Sequence, residues 1–184
     1  MAYPKLANVR FTDAGGAPLE IGAIGESAIL RSVLRILDEN DLCSMATVTG
    51  PGEPHVNTAH FCYSTGLVVY FLSHPGARHC RNLTRSPSVA LTVFSSAQRW
   101  GRPGRGVQLF GTCGPARGAD LREAHRLYAK RFPAYRRWRA GASKGDAGAQ
   151  YRFYRVRVGS VKLMDERAIG DGVFATMTVA RRRR

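Results

Sequence analysis

The sequence predicts a small, mostly antiparallel β-barrel with helices over its ends, an α+β fold. Three observations carry that expectation. Short β-prone runs separated by Gly/Pro-rich turns recur from Leu42 to Met164. Apolar residues at three- and four-residue steps mark amphipathic helices near the start and in the second half. The 184 residues are 44% apolar, which fits one domain with a real core.

Residues 1–24 are rich in Gly and Pro and weakly patterned, so they are expected as an extended N-terminal arm. A helix is expected from Gly25, with Ile29, Leu30, Val33, Leu34 and Leu37 on one stripe and Asp38-Glu39-Asn40-Asp41 ending it. Leu42 to Thr49 reads as a strand, and Gly50-Pro51-Gly52-Glu53 supplies the hairpin turn to a partner over Pro54–Tyr63. Ser64-Thr65-Gly66 turns the chain into Leu67–Leu72, an almost continuous β-prone run suited to a central strand. Cys80 to Arg85 allows about a turn and a half of helix, and Pro87 limits it before the strand Val89–Phe94.

Gly106 to Cys113 is the next strand. Asp120 to Lys130 sets Leu121, Ala124, Leu127 and Tyr128 against a charged face, an exposed helix broken at Pro133. Gly141 to Gly148 is expected as a flexible loop. Tyr151 to Val158 alternates apolar residues with arginines, and Val161 to Met164 is expected to pair with it as a hairpin. This gives a barrel domain over residues 25–171 and a basic C-terminal tail over 172–184.

No apolar run approaches the length of a membrane span and the N-terminus lacks a secretory core, so a cytoplasmic protein is expected. Cys43, Cys62, Cys80 and Cys113 form no CxxC pair; buried free thiols are expected rather than a disulfide framework or a metal site. The formal net charge of +15 suits anionic ligands. Much of it sits in Arg181 to Arg184, in the Arg99–Arg105 loop and in Arg136-Arg137-Trp138-Arg139, with no helix-turn-helix, zinc-finger or RNA-recognition frame. Nucleic-acid contact is therefore expected to be nonspecific at most.

The chemistry concentrates at Ser73-His74-Pro75-Gly76-Ala77-Arg78-His79. Arg78 offers a planar fork for phosphate oxygens, His79 a donor or a charge, and Ser73 a hydroxyl. A helix starting there adds free backbone N–H groups and its positive dipole end. A phosphate handle at a barrel mouth implies a cofactor.

With Ser86-Pro87-Ser88-Val89-Ala90-Leu91 following, that turn resembles the phosphate turn and next strand entry of the pyridoxamine 5′-phosphate oxidase-like, FMN-binding split-barrel superfamily. Gly106-Val107-Gln108-Leu109-Phe110-Gly111 resembles its next barrel strand, and Tyr128-Ala129-Lys130-Arg131-Phe132-Pro133 with residues 151–165 is similar to a bacterial subgroup. The likeness runs from the first helix to about Asp171. It implies FMN in a cleft between two subunits of a homodimer, with Ser73, Arg78 and His79 on the phosphate. It further implies Asn57, Thr58, Ala59 and His60 along the isoalloxazine ring and Gln108 orienting it.

The family's C-terminal Arg-x-His substrate motif has no counterpart in Gly172 to Ala180, which argues against oxidation of pyridoxamine phosphate. The resemblance implies an FMN-dependent oxidoreductase acting on a small organic substrate, without naming an acid or base. Its members also include deazaflavin users and haem-binding proteins. If the cofactor is haem, His60 and His79 are the candidate ligands. A non-enzymatic anion or nucleic-acid binder is the remaining alternative.

Overall fold

The computed structural model describes residues 4–22, 24–142 and 147–180. Its strands are β1 (Lys5–Thr12), β2 (Leu42–Val48), β3 (Pro54–Tyr63), β4 (Val68–Ser73), β5 (Ser88–Phe94), β6 (Arg105–Pro115), β7 (Arg152–Asp165) and β8 (Phe174–Ala180). The helices are α1 (Glu26–Glu39), α2 (Arg78–Arg85), α3 (Gly118–Arg131), α4 (Ala134–Gly141), α5 (Ala147–Gln150) and α6 (Glu166–Ile169). Neighbouring strands run β7-β4-β3-β2-β5-β6, and β6 pairs back to β7, closing six antiparallel strands into a barrel. The split-barrel expectation holds in this form, with β8 and β1 carried as an extension of the sheet.

β7 makes both the closure and the extension. One edge pairs with β6 from Tyr154 to Asp165. The other pairs with β4 over Arg152 to Arg157, then with β8 over Ser160 to Met164. The expected hairpin over 151–165 is therefore one continuous strand. Gly159 is an extra residue opposite the Phe110/Gly111 step, a bulge that increases local twist instead of reversing the chain. Both Val158 and Val161 then face the core, a three-residue step that resembles a turn in sequence. Gly111 is required there, since a Cβ on it would lie 2.1 Å from the Arg157 carbonyl oxygen.

The sequence termini also differ from expectation. β1 lies within the expected arm and β8 within the expected tail, and they pair with each other, burying Leu6 and Val179. A hydrophobic pairing partner, absent from either segment alone, makes them strands. Arg181 to Arg184 and residues 143–146 of the expected Gly141–Gly148 loop lie outside the described residues, while Gly141 ends α4 and Ala147 and Gly148 begin α5.

The core is filled from strand and helix together. Met45, Phe61, Phe71, Leu91, Leu109 and Val156 meet the α1 stripe of Ile29, Val33, Ile36 and Leu37. Ser32 on that stripe donates a hydrogen bond to the fully buried Asp165, with Arg35 at 3.4 Å. On the outer face of β3, β4 and β7, α3 and α4 build a second cluster around Tyr70, Tyr128, Tyr135 and Phe153. Arg131 ties the two layers. Its guanidinium donates to the Leu37 and Asn40 carbonyls at 2.7 and 2.6 Å and lies 4.7 Å over the Phe61 ring. It thereby satisfies carbonyls that the C-terminus of α1 leaves open.

The close approach at Gly111 makes a direct test. Gly111→Ala is expected to lower unfolding stability in urea by about 3 kcal/mol, the upper range for overpacking. Gly159→Ala is the control, since its Cβ meets only the Phe110 carbonyl at 3.8 Å; it should change stability by about 0.5 kcal/mol or less. Equal losses in the two variants would refute the close-approach account.

Candidate functional site

β4 delivers Ser73 to the barrel end, and the turn closes through the Ala77 N–H on the His74 carbonyl at 3.0 Å before α2 starts at Arg78. His74 is used within the turn and beside it. Its Nδ1 accepts the Gly76 N–H at 3.0 Å and its Nε2 lies 2.7 Å from Gln150 Oε1. Ala77, at the N-cap of α2, brings no side-chain oxygen, so the first-turn N–H groups keep their positive end without a side-chain cap.

Arg78 stands at that end, 56% exposed, with its guanidinium 3.5 Å from an equally open Glu53. Such an exposed pair is weak and leaves the guanidinium able to exchange partners. His79 points the other way. Its Nε2 lies 2.7 Å from the buried Ser73 hydroxyl, and its ring packs against His55 and Phe71 at 6.4 and 6.1 Å. Burial, with the charge of His55 second, lowers its pKa below the ordinary 6.5. Of the two roles expected for His79, the structure leaves the neutral hydrogen-bonding one, and Arg78 is the permanent cation of the turn.

The strand expected along the ring divides by pleat. Asn57 and Ala59 face inward, while Thr58 and His60 are exposed on the outer face. The Asn57 Oδ1 and His55 Nδ1 atoms are buried with no partner, both on the inward side. Gln108 lies far from Thr58 in sequence but in the same register row, through Ser44 on β2 and Thr92 on β5. The next row holds Val56, Ala46, Ala90 and Phe110. Between the rows is a shallow groove of about 160 Å³ whose floor is small side chains.

The turn adjoins the start of β3, where Arg78 meets Glu53 and His79 packs against the inward-facing His55. His60 lies beyond Thr58, its ring edge-on to that of Phe132 with the ring centres 5.2 Å apart. The structure thus sets Arg78 beside the start of β3, whose outer face bears Thr58 in one row with Gln108, and holds Ser73 and His79 together on the inward side with His55, the side to which Asn57 and Ala59 also turn. Ser44, Ala46, Ala90 and Thr92 were missed in the sequence. Period-two alternation in β2 and β5 carried their facing, and the hairpin registers their row.

Elsewhere the reactive groups are quiet. All four cysteines are buried and free, and burial pushes the Cys43, Cys62 and Cys113 thiols up to about 12. Among the described residues, no three His, Cys, Asp or Glu side chains gather as metal ligands, and no helix is long and apolar enough to cross a membrane.

A family model described as pyridoxamine 5′-phosphate oxidase matches residues 30–165. Among solved structures, a heme binding protein from Mycobacterium smegmatis superposes with a TM-score of 0.66 at 18% identity. That alignment covers 86% of this chain, which spans 60% of the mycobacterial one. HutZ, the heme storage protein of Vibrio cholerae, gives 0.56 at 15% identity over 79% of this chain and 93% of its own. A NimC/NimA family protein from Clostridium acetobutylicum gives 0.56 at 17% identity over 82% and 92%. At these identities the likeness is one of fold. None of the curated proteins compared with the chain is similar enough in sequence to match it.

The neutral state of His79 has a pH signature. His79 and His125 both titrate below 6.5 in the folded chain, mainly through burial. Above that pH both are neutral whether folded or unfolded; below it the unfolded chain takes up protons first, and stability falls until the lowered folded pKa is reached. The melting temperature is expected to drop as pH falls from about 6.5. His79→Gln should flatten the drop, leaving the share of His125. An unchanged slope in the variant would show that the fold does not hold His79 neutral.

Proposed function

The chain belongs to the pyridoxamine 5′-phosphate oxidase family, and on that footing we propose that it is an FMN-dependent oxidoreductase acting on a small organic substrate. The observation that carries the reading is Arg78 at the uncapped start of α2, set where the outer strip of β3 begins. A phosphate there accepts from the guanidinium and the first-turn N–H groups. Ser73, fixed by His79, adds a hydroxyl. The row of Thr58, Ser44, Thr92 and Gln108 offers hydroxyl and amide groups to the edge of a flat ring, over a floor small enough for close approach.

Bound FMN supplies two-electron chemistry, and the chain's part is to bind, orient and shield. Asn57 and Ala59 support the ring only through the strand that carries them. Shielding calls for a second copy. Val56 is 66% exposed in one row with Phe110, and exposed Leu42 and Phe94 lie on the other side of the polar row, apolar surface that a homodimer covers while forming a cleft over the strip. A deazaflavin bears the same handles and suits the same turn.

Haem is the second reading, and what favours it is His60, exposed on the strip with Phe132 beside it. The mycobacterial and Vibrio proteins of like fold are named for heme, which supports this alternative. Under it His60 would hold the haem iron, since His79 is already bound to Ser73. The visible spectrum of the purified protein separates the readings: two bands in the blue and near-ultraviolet for flavin, one intense violet band for haem.

Arg78→Ala tests the phosphate turn. Losing a charged hydrogen bond of roughly 1.5–3 kcal/mol should weaken FMN about ten- to a hundredfold, with folding intact. Riboflavin, which lacks the phosphate, should bind parent and variant alike. Equal FMN affinity in the two proteins would remove the assignment of this turn.

A further inference from the structure

The polar row does not end at Gln108. Gln108 stands opposite Lys162 on β7, Lys162 opposite Thr176 on β8, and Thr176 opposite Arg10 on β1. Alternation turns all three outward, since Val161, Leu163, Ala175 and Met177 between them are buried. Adjacent strands are about 5 Å apart, so the first cation lies one strand beyond the strip. An open groove of about 480 Å³ occupies this part of the face, with Lys162, Arg10, Ser160, Thr176 and Thr178 on its walls. Phe110 borders both this groove and the one over the strip.

Arg10 reaches the groove by a distortion of β1. It is an even number of positions from the buried Leu6, so an unbroken strand would turn it into the core with Leu6. Between Ala7 and Arg10, β1 instead has one residue more than β8 opposite. Asn8 takes a φ of 54°, a left-handed conformation that Asn adopts more readily than other residues with side chains. Its amide donates to Thr178 Oγ1 at 3.2 Å, and that hydroxyl donates to the Ala7 carbonyl at 3.0 Å, which pins the bulge. Leu6 stays in the core and Arg10 faces out. Bulges that re-aim one side chain gather at sites.

Lys162 is held with its ammonium 4.4 Å from the centre of the Phe174 ring. Among the described residues neither Lys162 nor Arg10 forms an ion pair. A second copy of this chain is a poor source of the missing anion. With 28 basic against 13 acidic side chains, a two-fold contact centred here sets like charge against like. The apolar surface around Val56 and Phe110 suits a second copy better.

We propose that Lys162 and Arg10 bind the carboxylate or phosphate of a small organic anion, the body of which lies on the strip beside Gln108. That this anion is the substrate rests on the flavin reading above; the anion site itself does not. Benzoate, phenyl phosphate and the neutral benzyl alcohol serve as probes, titrated calorimetrically against the full chain. The parent should bind one or both anions at least about tenfold more tightly than benzyl alcohol. Whichever of the two binds more tightly identifies the head group. Lys162→Gln and Arg10→Gln should each weaken that anion about tenfold, leave benzyl alcohol unchanged, and keep the parent's FMN affinity and melting temperature.

Anion affinity unchanged in both variants, or a parent that does not prefer the anions, overturns the proposal. FMN binding that fails while the anion still depends on Lys162 and Arg10 defeats the flavin reading alone. Intact FMN binding with anions indifferent to both variants defeats this proposal alone.

Discussion

The architecture hangs on β7, one strand asked to serve three others. Its β6 edge is continuous, while its second edge passes from β4 to β8. Fourteen residues in one extended run twist more than a closed barrel and an open extension can share without relief. The relief is local: the bulge at Gly159 and the missing side chain at Gly111, where backbones approach too closely for any Cβ. Because β7 belongs to both halves, a register row can run from the barrel wall into the β8–β1 extension without a break.

That continuity explains why the candidate site is a strip on an outer face rather than a cavity. The barrel interior is filled by aromatic and branched side chains, with Phe61 and Phe71 among the largest fully buried. What the fold leaves open is the outer surface of β2, β5 and β6 and of β3 up to His60, since α3 and α4 cover the end of β3 with β4 and β7. Helix placement thus selects the side on which a ligand can lie. Arg131 fixes that placement by anchoring the end of α3 to the end of α1.

Strand interiors were legible wherever turn chemistry bounded them. Pro54–Tyr63 was found to the residue because Gly50-Pro51-Gly52 and Ser64-Thr65-Gly66 stand on either side. β7 was split in two because a bulge and a tight turn leave the same local mark, a small-residue step where alternation changes phase. β1 and β8 were missed for a different reason. Their pairing joins residues nearly a chain length apart, and no local pattern encodes a partner 170 positions away such as Thr178 for Asn8. At the site, the Ser73–Arg78 turn was visible as chemistry and the facing of Thr58 needed only alternation. The shared row of Thr58 and Gln108 needed three registers at once.

Composition raised the question of what a +15 chain does with its charge, and the fold divides the answer. Arg131, Arg155 and Arg105 are between 14% and 24% exposed and paired with Asp41, Asp120 and Glu39, so their charge is consumed in joining elements. Arg78 is half exposed with one loosely held carboxylate, and Lys162 and Arg10 face an open groove. These differ from the first group in what surrounds them and not in residue type, which is why a count of arginines could not separate them. Buried pairs lose more by exchanging partners than exposed ones do. Charge available to a ligand is therefore charge that folding has left unpaired or only loosely paired, as it has Arg78 at the phosphate turn and Lys162 and Arg10 along the polar row.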